Sequence, residues 1–268
     1  MPSNSKGLFV ENLKVRFNLD NSTVEALKGV SFSVKKGEIV CLVGESGSGK
    51  SVSCYSVLKL LPKYAEVEGR ISFYGSRGSF DNLLKLPEKK MREIRGNHIS
   101  MVFQEPSSVL NPLLTVGEQI IETILAHSTV SKERAYEMAI QVLNAVHVPQ
   151  PELRFKQYPH ELSGGLKQRI AIAIAIVNNP DILLADEPTT ALDVTVAAKI
   201  LKLFLELKER GMGILLITHD LGVVAEVADR VYVIYKGEIV EEADVFSLFE
   251  SPKHPYTKKL LQARPIYF

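Results

Sequence analysis

Cysteine is scarce. Cys41 and Cys54 are the only two in 268 residues, both lie within apolar segments, and no CxxC spacing occurs. This excludes a disulfide framework and a Cys-rich zinc or iron–sulfur site, and it fits a reducing compartment. Long hydrophobic runs are missing too. The longest unbroken one covers residues 170–177, against the ~20 residues of a membrane-spanning helix. Residues 1–8 are polar and hold no apolar stretch of the signal-peptide kind. Neither sign of charge is in excess: 32 Lys plus Arg face 31 Asp plus Glu, a net charge of +1. A dedicated nucleic-acid binder would show a basic surplus. No internal repeat, low-complexity tract or Gly/Ser/Pro linker breaks the chain. The expectation is a soluble cytoplasmic protein.

What is present is ordinary globular material, 46% hydrophobic and 24% charged. A chain of this length holds one large or two small domains at ~150 residues per domain, and buries about 70–75% of its unfolded surface without staples. The N-terminal third reads as strands: residues 8–17 and 25–34 carry alternating apolar positions around a turn at 18–23. Residues 39–43 are continuously apolar, as in a strand buried on both faces. A helix is predicted over 50–61, stopped by Pro62. Strands follow at 67–74 and 99–103, separated by the charge-rich segment 85–95, read as a solvated helix face. Helical patterns occupy 116–127, 131–146 and 170–177. The C-terminal part alternates strand 182–185, helix 195–210, strand 214–218 and strand 231–235, with a turn at Lys236-Gly237. That order predicts an α/β fold with a mostly parallel sheet and helices on both faces. The helical stretch 106–166 reads as an insertion into this core.

Gly44-Glu45-Ser46-Gly47-Ser48-Gly49-Lys50-Ser51 matches G-x-x-x-x-G-K-[ST] between a buried strand and a helix. Glycines let the backbone curl so that successive N–H groups hold phosphate oxygens, and the following helix turns its positive end to the same anion. Lys50 is expected at the β- and γ-phosphates and the Ser51 hydroxyl at Mg²⁺. Asp186-Glu187 closes the apolar run Ile182-Leu183-Leu184-Ala185. Alone, such a pair is a common strand end. Behind a phosphate loop it reads as the second nucleotide motif, with Asp186 binding Mg²⁺ through water and Glu187 as general base or water-orienting group. Leu162-Ser163-Gly164-Gly165 opens a helix, a second anion site at a helix N-terminus.

In this setting the chain resembles the nucleotide-binding subunit of an ATP-binding cassette (ABC) transporter. The family's parts occur in the family's order: residues 44–51, Gln104 at a strand end, the LSGG signature at 162–165, Asp186-Glu187, the D-loop Ala191-Leu192-Asp193, and His219 after a strand. The resemblance implies a single ABC ATPase domain over 1–268. Its RecA-like P-loop NTPase core would cover about 1–105 and 167–245, with an N-terminal antiparallel β subdomain, an inserted α-helical subdomain over 106–166 and a tail over 246–268. It implies a head-to-tail dimer holding two ATP, each between residues 44–51 of one subunit and the signature of the other. Ser163, Gly164 and Gly165 then act in trans, and Asp193 bridges the subunits. Gln104 contacts Mg²⁺ and the attacking water, and His219 the γ-phosphate and Glu187. Phe17 is the candidate to stack on adenine.

Val102-Phe103-Gln104-Glu105-Pro106, Leu110-Asn111-Pro112, Pro159-His160-Glu161-Leu162 and the tail His254-Pro255-Tyr256-Thr257 resemble the peptide and nickel importer branch. This implies an ATPase motor for uptake of di- or oligopeptides, with nickel chelates or oligosaccharides as alternatives. The implied partners are two integral-membrane permease subunits, a second cassette (a paralogue or a second copy), and, indirectly, an extracytoplasmic solute-binding protein. No nucleic-acid partner is implied, and the expected location is peripheral, on the cytoplasmic face of the membrane. A soluble cassette acting on nucleic acid or the ribosome is the rival class, and an exporter cassette a third. Two features depart from the pattern. Leu166 stands where the wider family often has Gln, and the chain ends at Phe268 without the Cys-rich extension of longer members. A short member of the nickel type, or a shortened chain, is expected.

Overall fold

A computed structural model describes residues 6–19, 22–190 and 192–263. Asp20 and Asn21 of the expected first turn, Ala191 of the D-loop and the last five residues of the tail lie outside the described residues.

Two sheets and a group of helices build the chain. β1 (Gly7–Leu19) and β2 (Ser22–Lys35) pair antiparallel, and β1 also pairs antiparallel with β4 (Ala65–Tyr74), which is flanked by the short β5 (Ser79–Phe80). The second sheet holds β3 (Ile39–Val43), β6 (Ile99–Val102), β7 (Ile182–Asp186), β8 (Gly213–Thr218), β9 (Arg230–Tyr235) and β10 (Glu238–Asp244), in spatial order β10-β9-β3-β8-β7-β6. All its pairings are parallel except β9 with β10. That hairpin turns at Lys236 and Gly237, both at positive φ (48° and 81°), as a two-residue hairpin turn requires.

The continuous apolar runs explain the central strands. Every residue of β3, β7 and β8 is buried. Alternate side chains enter two different cores. Ile39, Cys41, Val43, Leu183, Ala185, Ile214 and Leu216 face the helical side, while Val40, Leu42, Ile182, Leu184, Leu215 and Ile217 face the antiparallel sheet. Each of the Val, Leu and Ile side chains contributes roughly 1.5–3 kcal/mol of transfer free energy.

The helices are α1 (Lys50–Val57), α2 (Glu88–Ile94), α3 (Pro106–Val109), α4 (Val116–Leu125), α5 (Lys132–Ala145), α6 (Pro151–Phe155), α7 (Gly164–Ile176), α8 (Val194–Glu209), α9 (Leu221–Val227), α10 (Val245–Glu250) and α11 (Pro255–Gln262). None of them is long and apolar enough to cross a membrane, among the described residues. α4 starts with a capping box, Thr115 Oγ1 accepting the Glu118 N–H at 3.3 Å while Glu118 Oε2 accepts the Thr115 N–H at 2.7 Å.

α1 is shorter than its apolar pattern predicts. It ends at Val57, well before Pro62, because Lys59 turns left-handed (φ 52°). The Lys59 N–H then donates to Ser56 O and the Leu60 N–H to Tyr55 O (3.1 and 2.9 Å), the two bonds of a Schellman cap. A glycine would have announced that stop; a lysine does not. β10 and α9 to α11 also go beyond the sequence pattern. β10 is an edge strand rich in acid, and the helices are too short for a clear period.

Candidate active site

Parallel register aligns the strand ends. Val43 pairs with Thr218, Ile217 with Asp186, and Ala185 with Val102. The residues leaving β3, β8, β7 and β6 are therefore delivered to one edge of the sheet: Gly44, His219, Glu187 and, two residues beyond β6, Gln104. The carboxyl edge of a parallel sheet is where such folds bind ligands. Here a cavity of about 590 Å³ is lined by residues 44–47 and 49–52 with Gln104, Glu187 and His219.

The loop from β3 to α1 is packed so tightly on one side that glycine is obligatory. A Cβ on Gly44 would lie 2.2 Å from the Ile234 carbonyl oxygen, and one on Gly49, itself at φ 107°, would lie 2.5 Å from Leu27 Cδ2. Ile234 is fixed within β9, so its carbonyl cannot retreat. Gly44→Ala is expected to cost about 1–3 kcal/mol of stability by overpacking and to displace the loop. The check is thermal unfolding together with calorimetric titration of ADP, which should show a lower Tm and weaker binding.

Lys50 is 5% exposed. Its ammonium donates to Gly44 O and Glu45 O, both at 2.8 Å, so it spans the curl of the loop. Burial lowers its pKa, and the carboxylates of Glu187, Asp186 and Glu45 oppose that shift. The first N–H groups of α1 have no carbonyl partners within the helix and open toward the same space. The Ser51 hydroxyl donates to Asp186 Oδ1 at 2.9 Å. Asp186 is buried and its pKa is raised, mainly by desolvation, with the Ser51 hydrogen bond pulling the other way.

Glu187 sits in a left-handed conformation (φ 46°), backbone strain of the kind that clusters at functional sites. Its N–H still donates to Ile217 O at 3.0 Å. Its side chain is surrounded by polar groups: the Thr190 hydroxyl donates to Oε2 at 3.0 Å, Gln104 Nε2 lies 3.4 Å from the same oxygen, and His219 Nδ1 is 3.1 Å from Oε1. The structure thus brings together Gly44, Glu45, Ser46, Gly47, Gly49, Lys50, Ser51, Gln104, Asp186, Glu187 and His219. Ser48 belongs to the same loop with its side chain turned inward; among the described residues its buried hydroxyl has no hydrogen-bond partner.

Other expected residues lie elsewhere. Among the described residues, Ser163 precedes α7 but its side chain caps nothing, Gly164 has no neighbour within 4 Å of an added Cβ, and Gly165 packs on Val196. None of the three lines the cavity. Asp193 Oδ1 caps α8 by accepting the Val196 N–H at 2.9 Å, and the next residue, Val194, is 87% exposed. Phe17 is half-buried on β1 against Tyr64, ring centroids 6.1 Å apart, and is not among the cavity's lining residues. Thr190, Ala26, Leu260 and Ala263 join the site without any sequence signal pointing to them there.

Residues 27–190 match the family model described as ABC transporter. The chain belongs to the ABC transporter family. As an ABC ATPase it matches curated relatives over nearly all of its own length and over 77–79% of theirs. A probable peptide ABC transporter ATP-binding protein, y4tR, of Sinorhizobium fredii is 49% identical over 271 residues, covering 99% of this chain and 79% of the relative. The dipeptide transport ATP-binding protein DppD of Bacillus subtilis is 50% identical over 263 residues, covering 97% and 77%. Among solved structures, a dimeric structure of MJ0796, a bacterial ABC transporter cassette, aligns with TM-score 0.77 at 30% identity over 89% of this chain and 98% of that one. The same cassette in a post-hydrolysis dimer bound to ADP and Pi gives TM-score 0.76 at 31% identity, again over 89% and 98%. The RecA-like core and ATP hydrolysis follow from this membership.

Proposed function

We propose that this ABC ATPase is the motor subunit of a membrane importer for di- or oligopeptides. The observation that carries the catalytic part is the convergence of Lys50, Ser51, Asp186, Glu187, Gln104 and His219 on one strand edge. The names of the relatives at 49–50% identity support the cargo class.

In this reading the α1 N-terminus and Lys50 hold the β- and γ-phosphates of ATP. Glu187 accepts a proton from the attacking water as its oxygen bonds to the γ-phosphorus. The bond to the bridging oxygen breaks, leaving ADP and phosphate. Gln104, Thr190 and His219 hold the Glu187 carboxylate in place; an ionised carboxylate has about four lone-pair sites, so it can still accept the water's proton. A hydroxyl, a carboxylate and an amide are hard oxygen donors suited to Mg²⁺, and Ser51, Asp186 and Gln104 would hold it. When bound, it would neutralise charge developing on the phosphates.

The open surroundings of Ser163 and Gly164 suit a contact from a second cassette, where Asp193 and the exposed Val194 would also meet the partner. Phe17 would stack on adenine beyond the phosphate cavity. An apolar groove of about 290 Å³ lined by Leu58, Leu60, Phe103, Val109, Ala171 and Ile174 lies between the core and residues 106–166. It would seat a short helix of a permease at the cytoplasmic face of the membrane. ATP contacts both cassettes only in the closed dimer, so it favours closure by that differential affinity. The single-domain division, with core, insertion and tail bounded as the sequence suggests, belongs to this reading.

The test is a pull-down with tagged Glu187→Gln chain, ATP and Mg²⁺ from its own solubilised membranes, read by mass spectrometry. Two multi-span permease subunits and a second cassette are expected, and the associated solute-binding protein should bind peptides. Recovery of soluble or nucleic-acid-bound partners alone would reject the importer.

A further inference from the structure

The C-terminal segment has no role in the reading above, yet it reaches the phosphate loop. Glu241 of β10 accepts the N–H groups of Lys253 (2.7 Å) and His254 (2.9 Å), one on each carboxylate oxygen. His254 Nδ1 in turn accepts the Tyr256 N–H at 3.2 Å, and Pro255 occupies the first position of α11. These contacts fix where α11 begins. Tyr256 is 8% exposed, and its ring stacks on Tyr235 at the end of β9 with centroids 4.1 Å apart and planes 27° apart. The stack aims the hydroxyl at the loop, where its oxygen accepts the Glu45 N–H at 3.0 Å. Further along the same segment, Leu260 and Ala263 line the cavity that holds Lys50 and Ser51.

The first arm of the loop is therefore gripped twice. Gly44 lies against the Ile234 carbonyl, and Glu45 hangs on Tyr256. The carbonyls of these same two residues receive the Lys50 ammonium. We propose that Tyr256 is a positioning residue for nucleotide binding: its hydroxyl holds the Gly44-Glu45 arm in the curl that Lys50 spans, and α11 forms one wall of the nucleotide pocket. An arm ordered before binding does not have to be ordered during it, which strengthens binding with no new contact to the ligand. This inference rests on the assignment of residues 44–51 as the phosphate site.

The experiment compares the full chain with Tyr256→Phe, Tyr235→Phe and Lys50→Ala, using calorimetric titration of Mg-ADP and steady-state ATP hydrolysis. Tyr256→Phe keeps the ring and its stack and deletes only the hydroxyl. It should weaken Mg-ADP binding about three- to tenfold, the range of one net hydrogen bond. It should raise the KM for ATP by a similar factor, leave kcat unchanged, and lower the nucleotide-free Tm by no more than about 2–4 °C. Tyr235→Phe should leave all four quantities unchanged. A purely structural role would instead lower the nucleotide-free Tm alone and spare the affinity. Unchanged or tighter Mg-ADP binding by Tyr256→Phe, with Lys50→Ala impaired, would overturn the positioning role of Tyr256 alone. Unchanged binding by Lys50→Ala would overturn the phosphate site and the positioning role together. Amide exchange by NMR supplies a check without any variant: the Glu45 N–H should exchange slowly although its residue is exposed, and fast exchange there would reject the bond to Tyr256.

Discussion

Glu187→Gln is expected to lower ATP turnover by about 10²–10⁴-fold, the usual contribution of a general base, while leaving ATP binding intact. The glutamine amide has the same shape and can keep the contact with the Thr190 hydroxyl, but it cannot take a proton at neutral pH. It also removes one negative charge beside Asp186, and these two carboxyl groups face a polyphosphate in the proposed site. Binding should therefore hold or tighten, and the ATP-loaded dimer should accumulate because hydrolysis no longer reopens it. Phosphate release measures the first effect, and light scattering with ATP and Mg²⁺ the second. Turnover within a few-fold of the parent chain would remove Glu187 from the role of base and leave Gln104 or His219 to be examined.

Lys50→Ala should act on the other side of the cycle. The ammonium is held over the loop by Gly44 O and Glu45 O at 2.8 Å, and incoming phosphate oxygens would offer it charged acceptors instead. A hydrogen bond to a charged group contributes about 1.5–3 kcal/mol, so loss of one or two implies roughly 10- to 10⁴-fold weakening. The desolvation that lowers the Lys50 pKa is a cost to the nucleotide-free fold. Removing a buried charge relieves that cost, and the fold itself should survive. Calorimetric titration of ADP and ATP gives the affinities, and circular dichroism the fold. Full-strength nucleotide binding by this variant would show that residues 44–51 are not the phosphate site.

Much of this site was legible because its pieces are short and contiguous. Residues 44–51 are recognised locally, by the spacing of the glycines, Lys50 and Ser51 between a buried strand and a helix, although the close packing on Gly44 and Gly49 comes from distant residues. Asp186-Glu187 follows four apolar residues that, behind a phosphate loop, read as an interior strand. Ser163 at a helix start is equally local. The shorter α1 escaped because its stop is a lysine in a left-handed turn, a conformation for which only glycine gives a reliable signal. Tyr256 could be quoted as part of a family tail, but nothing in His254-Pro255-Tyr256-Thr257 says that its hydroxyl reaches Glu45, 211 residues away in sequence.

The periodic and the local are legible in the chain alone: which runs are interior strands and where the backbone must curl around an anion, both properties of near neighbours, and, from the order of the elements, the α/β class. Only the tertiary structure decided how distant segments meet. Parallel register between β3, β8, β7 and β6 carries Gly44, His219, Glu187 and Gln104 to one edge, and the stack of Tyr256 on Tyr235 ties the C-terminal helix to the same loop. The reason is physical. Strand order and register are chosen by burying two faces of one sheet at once, a condition on the whole core that no short stretch of sequence contains.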